Sequence, residues 1–183
     1  MDAAILVALF AMSAVDADAD DEMPTVMVRL ENLAPISTGD VDFAESRAAA
    51  VFRRIGVHVR WIHEEAAVRD HVRPPFTVIL IKTGPDSTVR PGIVDALGFA
   101  DPSVSRAHVI YDRVEALAAR TQLSAASLLG DVMAHELGHL MLRVPAHSAR
   151  GIMRSGVNLR VHAMETFTPS QAQEIVTRLT PGR

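Results

Sequence analysis

The chain of 183 residues contains no cysteine. That excludes a disulfide-stapled scaffold, a thiolate metal site and a cysteine nucleophile together. Any metal it holds must be bound by His, Asp, Glu or water. Aromatic residues make up only 4%, so the core has to be assembled from Ala, Val, Leu, Ile and Met. Charge of one sign is lacking too. With 18 Lys and Arg against 22 Asp and Glu, the net charge is −4. There is no basic excess to attract nucleic acid and no Lys/Arg run to hold an anionic membrane surface. Internal repeats and low-complexity linkers are absent. What is present looks ordinary: 49% hydrophobic and 22% charged residues are the proportions of a globular protein, and the length suits one domain.

Residues 3–14 (AAILVALFAMSA) form an uncharged apolar run followed by an acidic stretch at 16–22. The run falls short of the roughly 20 residues that a membrane-spanning helix needs. Its length and place match the apolar region of an export leader, and Ala17-Asp18-Ala19 offers a small-residue cleavage site. The segment before it, Met1-Asp2, carries no basic residue. The expectation is a leader over 1–19 and a single domain over 20–183. The product would be secreted or periplasmic, with no membrane association once the leader is gone. Removing residues 1–19 takes away Asp2, Asp16 and Asp18 and brings the net charge from −4 to −1.

Residues 25–31 (TVMVRLE) alternate and are β-branched, which predicts a strand. Apolar positions Val41, Ala44, Ala48, Val51, Phe52 and Ile55 have the spacing of an amphipathic helix, with Asp40 as N-cap and Gly56 as the residue just past its end. Further strands are expected at 57–62, 76–81 and 107–111, with an edge strand at 96–100. A long helix runs over 124–142, an irregular stretch over 143–167, and a last helix over 168–179. There Thr168 is the N-cap, Pro169 sits at the first helical position and Pro181-Gly182 ends it. This order implies an α+β fold: a twisted, mostly parallel sheet in a mixed α/β layer with helices packed on it, then an irregular subdomain at 143–183 ending in a helix.

The chemistry concentrates on the long helix. His135-Glu136-Leu137-Gly138-His139 is an H-E-x-x-H pattern. On a helix, residues i and i+4 share a face, so two imidazoles can meet one Zn²⁺ at about 2.0–2.1 Å. Glu136 is turned about 100° from His135. It can reach a water at the metal without being a ligand, the layout for metal-assisted hydrolysis with Glu136 as general base. Leu128, Leu129, Val132, Met133, Leu137, Leu140 and Met141 leave this helix hardly any polar face, so it should be buried nearly all round. Polar groups in such a place cost on the order of 1–3 kcal/mol each when unpaired, and a metal resolves all three. The bland alternative has both histidines bonded to backbone carbonyls and Glu136 at the surface. Gly138 costs about 1 kcal/mol against Ala in a helix, and a close backbone neighbour is the expected reason.

A catalytic zinc takes three protein ligands and leaves one position open. The candidates for the third are His147, His162, Glu165 and Glu174, with His147 best placed just after Pro145. His58, His63, His71 and His108 lie in or beside strands and read as ordinary histidines. Gly151-Ile152-Met153 follows, where the glycine allows a tight turn and Met153 would set an apolar floor beneath the imidazoles.

With these residues in view, the sequence resembles the metzincin clan of zinc metallopeptidases. The matching parts are His135-Glu136-x-x-His139, His147 and the GIM of residues 151–153, which looks like the clan's Met-turn. The resemblance implies one catalytic zinc on His135, His139 and His147, Glu136 as general base and a peptide or protein as substrate. It also implies an edge strand above the cleft, placed at Leu97 to Ala100, that pairs with the substrate. The clan's usual run is H-E-x-x-H-x-x-G-x-x-H. Here Leu142 and Pro145 stand at the glycine and third-histidine positions, and His147 falls two residues later. No tyrosine follows residue 153, so a tyrosine fifth ligand is excluded. The function implied is a zinc-dependent endopeptidase. The alternative is a zinc-binding protein of the same fold without protease activity, serving as a binding or scaffold module.

Overall fold

The computed structural model describes residues 23–63, 75–83, 96–144, 147–156 and 164–180. The leader reading, His71, His162 and the two prolines at 145 and 181 lie outside the described residues.

Among the described residues, five strands and four helices follow in the order β1 (Thr25–Asn32), α1 (Thr38–Arg53), β2 (His58–His63), β3 (Phe76–Ile81), β4 (Gly98–Asp101), β5 (Arg106–Ile110), α2 (Tyr111–Thr121), α3 (Ala125–Met141) and α4 (Pro169–Leu179). The strands form one sheet ordered β2-β1-β3-β5-β4. β4 runs antiparallel to β5 at the edge and every other pair is parallel. The expected α+β layer with a mostly parallel sheet is the observed fold.

Alternation along the strands sends one set of side chains to a single face. Val26, Val28, Leu30, Val78, Leu80, Ala107 and Val109 are buried there, in one core with Ala44, Ala48, Val51 and Phe52 of α1 and Leu129, Met133 and Leu137 of α3. α1 and α3 lie close. A Cβ on Gly130 of α3 would come 2.7 Å from the Ala44 carbonyl oxygen, so only glycine lets the two backbones approach this far. Beside it, Arg47 donates from Nε and Nη2 to the two carboxylate oxygens of Asp131 at 2.8 and 2.9 Å.

The helix ends show where sequence signals were complete. Thr168 accepts from the Gln171 amide, and Gln171 Oε1 accepts from the Thr168 amide, a reciprocal capping box with Pro169 at the start of α4. Ser124 caps α3 by accepting from Ser127 N. α1 departs from expectation. It starts at Thr38 with Ser37 as N-cap, and Asp40 lies inside the first turn. That turn is exposed, so it carries no apolar periodicity to mark it. Gly56, with φ +75°, stands two residues past the C-cap Arg54 rather than one.

α2 was not foreseen, and Tyr111 begins it instead of closing β5. Its N-cap, Ile110, makes no side-chain cap bond, and only Val114 and Ala118 are buried. A single i, i+4 apolar pair is too little periodicity to announce a helix.

Candidate metal centre

α3 is buried along almost its whole length, as its apolar composition requires. His135 and His139 project from it one turn apart, with Nε2 atoms 3.0 Å from each other. His135 Nδ1 donates to the Ile152 carbonyl at 2.7 Å. That bond fixes the tautomer and leaves the Nε2 lone pair toward the cluster. It also supplies the backbone carbonyl bond of the bland alternative while keeping the other nitrogen free. His147 comes from the irregular stretch after α3. Its ring centroid lies 5.3 Å from that of His135 and 5.0 Å from that of His139. One nitrogen from each of the three rings falls within 4.8 Å of the others, and among the described residues these three form the group that could hold a metal ion.

The other ligand candidates are elsewhere. Glu174 accepts from the Arg143 amide at 2.6 Å. Glu165 lies near enough to Asp131 to help raise its pKa, and it is not part of the cluster of three histidines. His108 stacks on Phe99 with ring centroids 4.6 Å apart.

Glu136 is not at the surface. It is 5% exposed, and its carboxyl packs against β4. A Cβ on Gly98 would lie 2.9 Å from both Cγ and Oε1 of Glu136 and 2.7 Å from the His108 carbonyl oxygen. Gly98 is therefore the space into which the carboxyl fits, a role sequence reasoning missed. A glycine inside a strand pattern, marking close approach, was the available signal.

Burial pushes the Glu136 carboxyl up to about 8. It holds His135 below the usual histidine value, and burial with the neighbouring rings of His135 and His147 pushes His139 down to about 4. Neutral imidazole is the metal-ligating form, so the environment presets two rings as ligands.

These residues fit zinc. Two nitrogens on a tetrahedral zinc at about 2.05 Å would stand about 3.3 Å apart, close to the 3.0 Å between His135 and His139. An all-imidazole donor set suits it as well.

Met153 is fully buried. Gly151 turns the chain there with φ +77°, and Ile152 N donates to the Thr166 carbonyl at 2.9 Å. The neighbour that Gly138 accommodates is not backbone: a Cβ there would meet the sulfur of Met153 and, at 2.8 Å, Cε1 of Phe167.

No family model and no curated protein matches the sequence. Among solved structures, the fold is similar to the crystal structure of a zinc-dependent peptidase from Methanocorpusculum labreanum (strain Z), with a TM-score of 0.53 and 15% identity over 82% of this chain and 99% of that one. At such identity the likeness speaks for the fold. The neighbour is a zinc-dependent peptidase, and this chain has three histidines able to hold a metal ion.

Proposed function

We propose that the protein is a zinc-dependent endopeptidase of metzincin type, with His135, His139 and His147 as ligands of one zinc and Glu136 as general base. The observation that carries this reading is the convergence of three imidazole nitrogens within 4.8 Å on a helix whose neighbouring carboxyl, Glu136, is buried. When bound, zinc supplies a Lewis acid for a scissile carbonyl and makes water a competent nucleophile near neutral pH. His135 and His139 would hold the metal through Nε2, with His135 oriented by the Ile152 carbonyl. Glu136 packs against Gly98; with a cation bound nearby to favour its ionised form, its carboxylate would take a proton from the attacking water and return it to the leaving amine. Among the described residues β4 has β5 on one side only, and its outer edge suits an extended peptide added as a further strand.

The late position of His147 favours a second reading, a metal-binding protein of this fold without hydrolysis. Glu136→Gln separates the two. We expect about one zinc per chain in wild type and variant alike, with cleavage of a quenched peptide library falling 10²–10⁴-fold in the variant. A wild type that binds zinc and cleaves nothing supports the second reading. Loss of zinc from the variant means that Glu136 is a ligand and the mechanism is wrong.

A further inference from the structure

α3 ends without a left-handed residue. Its C-cap, Leu142, has φ −85° and ψ 144°, extended backbone. A helix that stops this way lacks the turn by which a glycine would satisfy its last carbonyls and redirect the chain. Here α4 supplies the missing contacts. Arg178 Nη1 donates to the Met141 carbonyl at 2.5 Å, and Glu174 Oε1 accepts from the Arg143 amide at 2.6 Å. Glu174 and Arg178 are spaced i, i+4, one turn apart on one face of α4. That face grips the chain on both sides of Leu142. A guanidinium on the C-terminal carbonyls of α3 also matches the negative end of the helix dipole. α4 is itself anchored, by the Thr168–Gln171 capping box and by the fully buried Ile175 beside Glu174.

His147 has a second anchor on its other side. Ser148 N donates to the Met153 carbonyl at 2.8 Å, and Ser148 bridges to Arg154. The ring of His147 thus sits between a chain fixed at Arg143 by α4 and a chain fixed at Ser148 by the turn that carries Met153.

We propose that Glu174 and Arg178 are positioning residues for the third metal ligand. They set the direction in which the chain leaves α3 and so place His147 against His135 and His139. Two side chains of α4 do here what a backbone glycine turn would otherwise do. The inference rests on the zinc reading of the site, and its readout is zinc affinity rather than hydrolysis.

The experiment is a zinc titration against a competing chelator, with circular dichroism to establish that each variant is folded. Glu174→Ala combined with Arg178→Ala should weaken zinc binding about 10–100-fold, the size expected when a group that orients a ligand is lost. Glu174→Gln keeps an acceptor oxygen and should stay near wild type. In a His147→Ala background the same Ala pair should change affinity less than about 2-fold, because the ligand it positions is gone. Should the double variant not fold, Glu174→Ala alone, compared with and without His147, carries the same test with a smaller loss. An equal loss in both backgrounds would show that α4 merely holds the fold, and no loss in either would show that the exit needs no support; both outcomes overturn the proposal. A wild type that binds no zinc overturns the zinc reading itself, whereas zinc binding without coupling to His147 overturns this inference alone.

Discussion

Gly138 shows how a single position can oppose its own helix propensity. Alanine there would gain about 1 kcal/mol of intrinsic helix stability. It would also drive a methyl into the sulfur of Met153 and to 2.8 Å from Phe167, and both of those side chains are buried. Overpacking of this kind costs about 1–3 kcal/mol, so Gly138→Ala should be destabilising on balance, by up to about 2 kcal/mol. A lowered urea midpoint with an unchanged slope is the expected measurement. Gly39, in the first turn of α1 and with open space around its Cβ position, should behave oppositely and gain stability as alanine. The sequence shows that Gly138 needs a reason, but not which one. The tight neighbours come from residues 15 and 29 positions downstream, brought back by a turn that helix periodicity does not encode.

Between elements, the junction of α1 and α3 is held by an ion pair whose worth depends on burial. Side chains of Arg47 and Asp131 are only 18% and 26% exposed. Burial raises the Asp131 carboxyl despite the Arg47 guanidinium beside it, so desolvation outweighs the attraction. A pair in that balance is near break-even against an apolar replacement, while a half-pair is costly. Asp131→Ala should therefore destabilise by roughly 1–3 kcal/mol, and Arg47→Met with Asp131→Leu should return to within about 1 kcal/mol of wild type. Chemical denaturation of the three proteins decides it. The elements legible in the sequence were those with a local signature: the alternating strands, the apolar run of α3, and Thr168 with Pro169 before α4. The H-E-x-x-H spacing likewise told which face of α3 matters. α2 stayed hidden because it starts directly from a strand with no polar cap. Gly98 left a faint signal, a glycine inside a strand pattern, whereas the contacts of Glu174 and Arg178 were illegible because each depends on a partner far away in the chain.

Over the whole molecule, pH acts on two sets of buried groups with opposite sign. In zinc-free protein, burial raises Glu45 from 4.5 to about 7 and Glu136 to about 8. Each folds more favourably when protonated, so stability is full below about 4.5 and falls as pH rises toward those values. His135 and His139 are depressed, the latter to about 4. They are neutral in the fold and charged in the unfolded chain, so stability falls as pH drops from 6.5 toward 4. Between these limits the slopes offset each other. Glu45→Gln removes one of them. Its stability relative to wild type should improve by roughly 1–3 kcal/mol from pH 4.5 to pH 7 and stay level below 4.5. Urea melts of chelator-treated protein at several pH values would show a flat difference if Glu45 titrated normally. The burial of Met153 against Gly138 has a further consequence, for oxidation. Without cysteine, methionine is the one amino acid in this chain whose sulfur an oxidant can attack. Met153 is fully enclosed, whereas Met27 and Met164 are partly exposed. A sulfoxide on Met153 would place a polar oxygen in the tightly packed contact with Gly138 and Phe167, at a cost in packing. Peroxide thus meets partly exposed thioethers such as Met27 and Met164 first, and these are consumed while Met153 stays reduced.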